Sequence, residues 1–214
     1  MKKLLVAAFM MYTILTLSGC GGGGSSPPPV VVTQVVTSIL STQAFDGDIL
    51  NGSTVSPLNA PSVFAGIDPF TPSEYRAFLV FPLTGAGGVP GSAFIDAATL
   101  DIFINSIILH PSASSIPIRI ELVSYPPQTL QPSDYFRNFL PPLTFTTIIP
   151  PISSADVLRN VRIDVTALMA EAQRRGLLDF QIRILEDDGF VFPGLIEIDD
   201  RTINRAPLLT VTYH

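Results

Sequence analysis

The chain has 214 residues, 47% of them hydrophobic and only 14% charged, with eighteen acids against twelve basic side chains. Both lysines, Lys2 and Lys3, stand at the very start, so the rest of the chain sets ten arginines against eighteen acids, a formal charge of −8. That balance, with no basic run, excludes a nucleic-acid footprint and attraction to anionic lipid, and a single cysteine excludes an internal disulfide.

The first element in chain order is a signal. Lys2 and Lys3 precede the uncharged run Leu4 to Leu17 and the small residues Ser18 and Gly19, the three-part pattern of a secretory leader. As a helix, a run of fourteen residues reaches about 21 Å, short of a hydrocarbon core of about 30 Å, and this disfavours a retained span. The ending Leu17-Ser18-Gly19-Cys20 resembles the bacterial lipobox, and the resemblance implies cleavage before Cys20 and acylation of that cysteine. Several acyl chains at about 0.8 kcal/mol per buried methylene would hold the protein in a leaflet. The alternative is an ordinary signal with an incidental cysteine. Gly21 after the lipobox, in place of an aspartate, implies the outer membrane or cell surface.

A low-complexity stretch follows: Gly21 to Gly24, Ser25, Ser26 and Pro27 to Pro29. It cannot pack a core and reads as a tether, flexible in its glycine half and stiffer in its proline half. The organisation expected is a signal over 1–19, the lipidated cysteine and tether over 20–43, and one domain over 44–214, long enough for a core without staples.

Within the domain, period-two alternation marks strands with one buried face. Tyr75 to Phe81 and Ala98 to Asn105 are two, separated by the turn-rich Gly85 to Gly91. Ile116, Ile118, Ile120 and Leu122 alternate with Arg119 and Glu121. Val161, Ile163 and Val165 alternate with Arg162 and Asp164; Phe180, Ile182 and Ile184 alternate with Gln181 and Arg183. A helix is expected with Thr166 as N-cap, Ala167 to Arg175 as its body and Gly176 as its stop. The turn Glu186 to Gly189 leads into Phe190 to Ile198, bent at Pro193-Gly194, and Leu209, Val211 and Tyr213 form the last buried face. Many short strands and one short helix predict an all-β, antiparallel jelly-roll-type sandwich.

The order of these motifs resembles the disaggregatase-related (DNRLRE) domain, related to carbohydrate-binding modules of microbial surface proteins. The resemblance rests on Asp46-Gly47, Tyr75 to Leu83, Val89-Pro90-Gly91 with Ile95 and Ala97 to Leu100, Ile163 to Thr166 with the helix, and Ala206 to Tyr213. It implies a sandwich over nearly the whole domain and a carbohydrate ligand. The chain departs from the family in having no tryptophan.

Chemistry-bearing patterns are sparse. His110, before Pro111, reads as a loop histidine, and His214 is the final residue of the chain. No Gly-x-Ser-x-Gly elbow occurs, and the Gly85 to Gly91 loop lacks the βαβ setting of a dinucleotide fingerprint. One cysteine and two separated histidines cannot make a zinc set. A structural calcium at Asp187 and Asp188, with Asp199 and Asp200 as a second acidic pair, competes with a reading of these residues as solvated turn acids. No pair of carboxylates is marked for glycosidic cleavage, and no catalytic residue is expected.

The aromatic stretch from Tyr125 to Phe139 is the strongest binding candidate. Tyr125 and Tyr135 could stack on sugar rings while Arg137 hydrogen-bonds hydroxyls. The competing reading is a loop folded back with Phe136 and Phe139 as its own small core. The expected function is a lipid-anchored, non-catalytic binding module for cell-surface or extracellular polysaccharide, with no cofactor beyond that calcium. The alternative is a structural lipoprotein that docks an envelope protein.

Overall fold

A computed structural model describes residues 33–57, 59–126, 130–187, 192–201 and 204–214. Cys20 and Asp188 lie outside the described residues. The fold is all-β and antiparallel, with a curled sheet and one α-helix among the described residues. Neighbouring strands follow the order β1-β14-β6-β13-β4-β5-β12-β8-β9, with β11 against β6 and β2 against β5.

The front of the sandwich is built from β1 (Val35–Leu40), β14 (Leu208–Tyr213), β6 (Ile95–Leu109), β11 (Arg159–Asp164), β13 (Gly194–Asp199) and β4 (Ser62–Ile67). The back is built from β2 (Gly47–Leu50), β5 (Glu74–Pro82), β12 (Asp179–Glu186), β8 (Ile118–Val123) and β9 (Thr144–Thr147). The short β3 (Thr54–Val55) closes a hairpin with β2, and β7 (Ser115–Ile116) pairs with β10 (Ile152–Ser153).

The core follows the alternation. Leu100, Ile102 and Ile104 of β6, Ala77, Leu79 and Phe81 of β5, and Ile118, Ile120 and Leu122 of β8 share one buried cluster with Phe180, Ile182 and Ile184 of β12. Each such side chain contributes roughly 1.5–3 kcal/mol relative to leaving it in water. A single alternating face therefore drives each strand inward, and the residues between point to the opposite face of the sheet.

Four expectations need correction. The segment 20–43, read as tether to its end, contains β1, which pairs along its whole length with β14; its Val, Thr and Ile residues complete an edge that the closing strand would otherwise leave bare. β6 runs well past Asn105 to Leu109, with a bulge opposite Glu197/Ile198 that keeps Ile107 and Leu109 against the core. The expected strand from Ile116 is split at Pro117, which has no N–H to offer a ladder. The helix α1 (Thr166–Arg174) takes Val165 as N-cap, with no side-chain cap. The Thr166 hydroxyl instead accepts the Ala98 N–H at 2.9 Å, while Asp164 accepts the Thr166 N–H at 2.9 Å. Gly176 does stop the helix, at φ +65°.

Candidate functional site

The two outer faces of the sandwich have different fates. On the back, Phe78 and Val80 of β5 and Val123 of β8 point away from the main core and form a second apolar cluster with Ile49, Tyr125, Tyr135 and Leu140. The long connection 124–143 covers this face. Tyr125 and Tyr135 are only 7% and 9% exposed, and the Tyr125 ring meets Phe78 edge-on at 5.7 Å.

Polar contacts pin the connection down. Gln181 accepts the Tyr125 N–H at 2.8 Å and donates to its carbonyl at 2.7 Å. Tyr135 donates its hydroxyl to Glu74 at 2.6 Å, and the Arg76 guanidinium lies 3.9 Å from the centre of the Tyr135 ring. Both tyrosine hydroxyls are pushed above their ordinary pKa, chiefly by burial. Arg137 donates to Glu121 at 2.9 Å, beside Arg183, and both Arg183 and Glu121 are wholly buried.

These contacts correct the sequence reading. Tyr125, Tyr135 and Arg137 are brought together, but as the underside of a loop: the tyrosine faces and the guanidinium are spent on protein. The loop does have a small core of its own, built of Tyr125, Tyr135 and Leu140, while Phe136 and Phe139 are left exposed. The physical reason is the back sheet itself. Its outward Phe78, Val80 and Val123 had to be covered, and Arg183 and Glu121 needed partners in a water-poor place.

Asp187 is likewise engaged. It accepts the Thr147 hydroxyl at 3.0 Å and lies 3.7 Å from the Arg119 guanidinium, whose positive charge opposes a calcium ion there. Among the described residues, no group of three or more His, Cys, Asp or Glu side chains is placed to hold a metal. His110 accepts the Ser112 N–H at 3.1 Å and stacks on Phe192, as a loop histidine does.

Among the described residues no comparable loop covers the front face, though Arg205 lies over Phe103, and the register lines up its outward side chains. Arg162 of β11 sits opposite Asp101 of β6, with Nε to Oδ1 at 3.1 Å, and Asp101 in turn faces Leu208 of β14. Asn160 is opposite Phe103, over which the Arg205 guanidinium lies at 4.3 Å from the ring centre. A groove of about 550 Å³ runs here between Asp101, Asn160, Arg162, Asn204 and the β1 residues Ser38 and Leu40. This is within the usual range for small-ligand sites.

Farther along the same face, Ser106, Glu197 and Phe64 share a row across β6, β13 and β4. The Glu197 carboxylate accepts hydroxyl hydrogens from Ser62 and Ser106, each at 2.8 Å, and Asn105 donates to Ser62 at 3.3 Å. A second cleft of about 380 Å³ lies beside this row, between β4 and the β2–β3 hairpin. A polar groove with a cation, an acid and amides, next to a cleft with aromatic walls, can hydrogen-bond hydroxyls and hold a flat apolar face.

Behind the second cleft, Asp46 and Asp200 form a buried acid pair, 1% and 3% exposed. Asp46 Oδ1 accepts the Val80 N–H at 2.7 Å, while its Oδ2 is buried with no hydrogen-bond partner within bonding distance among the described residues. Desolvation raises both carboxyls, Asp200 the further because the Asp46 charge adds to burial. The pair is too enclosed to face a substrate.

Sequence reasoning placed Arg162 outward on its strand but passed over Asp101, Asn160, Phe64, Glu197 and Tyr75. Alternation marks Asp101, Asn160, Phe64 and Glu197 as outward and Tyr75 as inward with Ala77 and Leu79, and nothing local says which outward face stays uncovered. No family model and no curated protein matches the chain.

Proposed function

We propose that this protein is a lipid-anchored, extracytoplasmic binding module of the outer membrane or cell surface that recognises polysaccharide without catalysis. The carrying observation is the front-face groove, lined by the exposed Arg162 guanidinium, its partner Asp101 and Asn160. Guanidinium, carboxylate and amide groups match the hydroxyl-rich edge of a sugar chain. The resemblance to disaggregatase-related domains, and the lipobox ending at Cys20, support the same reading. Tyr125, Tyr135 and Arg137 have no part in it.

The test is affinity electrophoresis of the full chain against a polysaccharide panel, with Arg162→Ala and Asn160→Ala variants. Retardation by at least one polymer, weakened at least tenfold in Arg162→Ala, is expected; no retardation by any polymer sinks the reading. Replacing Cys20 by serine should move the protein from the membrane fraction to the soluble one, and an unchanged distribution would remove the anchor.

A second reading, a structural lipoprotein that docks an envelope protein, is favoured by Phe136 and Phe139, which lie edge to face at 6.2 Å on the surface of the back-face loop. Crosslinking in membranes through residue 139 decides it: a specific adduct lost in Phe139→Ser supports docking, and recovery of the protein alone counts against it.

A further inference from the structure

The second cleft, between β4 of the front and the β2–β3 hairpin, is chemically unlike the groove. Its apolar walls include Leu50, Pro57, Pro61, Phe64 and Tyr75, and its two acids, Asp48 and Glu197, are accompanied by the hydroxyls of Thr54, Ser56 and Ser62. The Phe64 and Tyr75 rings stand 5.7 Å apart at an interplanar angle of 50°, a tilted pair that forms one corner.

The two acids set the ligand. Asp48 is only 4% exposed, and its Oδ2 accepts the Phe64 N–H at 3.1 Å. Among the described residues no side chain donates to it, and neither Asp48 nor Glu197 is ion-paired. A carboxylate withdrawn from water ordinarily comes with a cation or several donors. Here it has one backbone N–H, and its desolvation, uncompensated by a positive neighbour, pushes its pKa up to about 6. Asp46 and Asp200, behind it, add no positive charge.

We propose that this cleft binds the ammonium-bearing ring of an amino sugar, with the ammonium group on Asp48 and Glu197 and the ring's C–H face against Phe64 and Tyr75. A neutral sugar would leave the Asp48 carboxylate without its missing partner, and an acidic sugar would be repelled by both acids. A bare calcium ion wants six to eight oxygens, which walls of leucine, proline and phenylalanine do not offer. An ammonium group needs few ligands, is attracted by aromatic faces as well as carboxylates, and brings with it an apolar ring face that fits the corner. This deepens the polysaccharide reading and rests on it.

The experiment is isothermal titration of the full chain in detergent at pH 7 with a glucosamine oligomer, its N-acetylated counterpart of equal length, methylammonium and calcium chloride. The glucosamine oligomer should bind at least tenfold tighter than the acetylated one, and Asp48→Asn should abolish that preference. Phe64→Leu, which leaves the carboxylate in place, should weaken the oligomer at least fivefold and provides a second variant if Asp48→Asn does not fold. Equal affinity for both oligomers, lost in Arg162→Ala, overturns the ammonium cleft and keeps the polysaccharide reading. Binding of methylammonium or calcium with no binding of either oligomer overturns this proposal, and failure of the whole polysaccharide panel overturns the reading beneath it.

Discussion

Arg183 of β12 and Glu121 of β8 face each other across the back sheet, both wholly buried, with Nε to Oε2 at 2.8 Å. The same carboxylate also takes Arg137 from the covering loop, at 2.9 Å, and Arg119 from its own strand, at 3.1 Å. Arg183 completes the link by donating to the Asp134 carbonyl of that loop at 2.8 Å. A charged pair on the sheet thus becomes the peg that holds the 124–143 connection in place.

Removing one partner of a buried pair strands the other in a dry place and costs about 3–5 kcal/mol, whereas replacing both is far milder. Glu121→Gln should therefore destabilise the protein by about that amount in urea unfolding. Adding Arg183→Met should restore part of the loss. Full additivity of the two single losses would show that the pair is not coupled.

Tyr125 and Tyr135 are structural, so their removal should act on folding and leave binding intact. Truncating a buried aromatic ring costs about 3–5 kcal/mol, and Tyr125→Ala should fall in that range because its ring fills the space above Phe78. Tyr135→Phe loses the 2.6 Å hydrogen bond to Glu74 and should cost about 1–2 kcal/mol. Polysaccharide affinity per folded molecule should not change in either variant; a loss of affinity at unchanged stability would return these residues to the site.

The pH dependence of stability should run opposite to that of a protein held by carboxylate ion pairs. Burial pushes Asp48 to about 6 and Glu186 to about 7, and raises Asp46 and Asp200 as well. Because these folded values exceed the unfolded ones, the stability they contribute is fully present below about pH 4 and is lost as pH rises through 6 to 7 and beyond. For Asp48 alone the loss is on the order of 2–3 kcal/mol. Urea midpoints should drop between pH 5 and pH 8, and Asp48→Asn should flatten part of that slope. A midpoint that rises over this interval refutes the assignment.

Gly66 of β4 has φ +112°, and a Cβ there would run into the carbonyl oxygen of Gly194 on the paired strand. Left-handed backbone and close approach both demand glycine. Gly66→Ala should cost about 1–3 kcal/mol or more, read as a lower thermal midpoint. Gly85, also at positive φ but with open space around its missing Cβ, should lose less on the same change.

The sequence by itself determined the inward faces of those strands whose alternation it shows, though not β1, β2, β4 or β9. Alternation in Ile118 to Leu122, Phe180 to Ile184 and Leu209 to Tyr213 is a local consequence of the pleat, and the hydrophobic side chains had one core to enter. It also determined the helix and its stop at Gly176, because these depend on neighbours along the chain. What each outward face would meet depended on residues far away. The tyrosines at 125 and 135 read as a binding surface until the back sheet's Phe78, Val80 and Glu121 drew the loop over them, and Arg162 and Asp101, 61 residues apart, were brought side by side only through the β6–β11 register. Tertiary structure decided what the aromatic loop covers, since the back sheet's apolar and charged residues consumed it and left the other sheet without a comparable loop among the described residues.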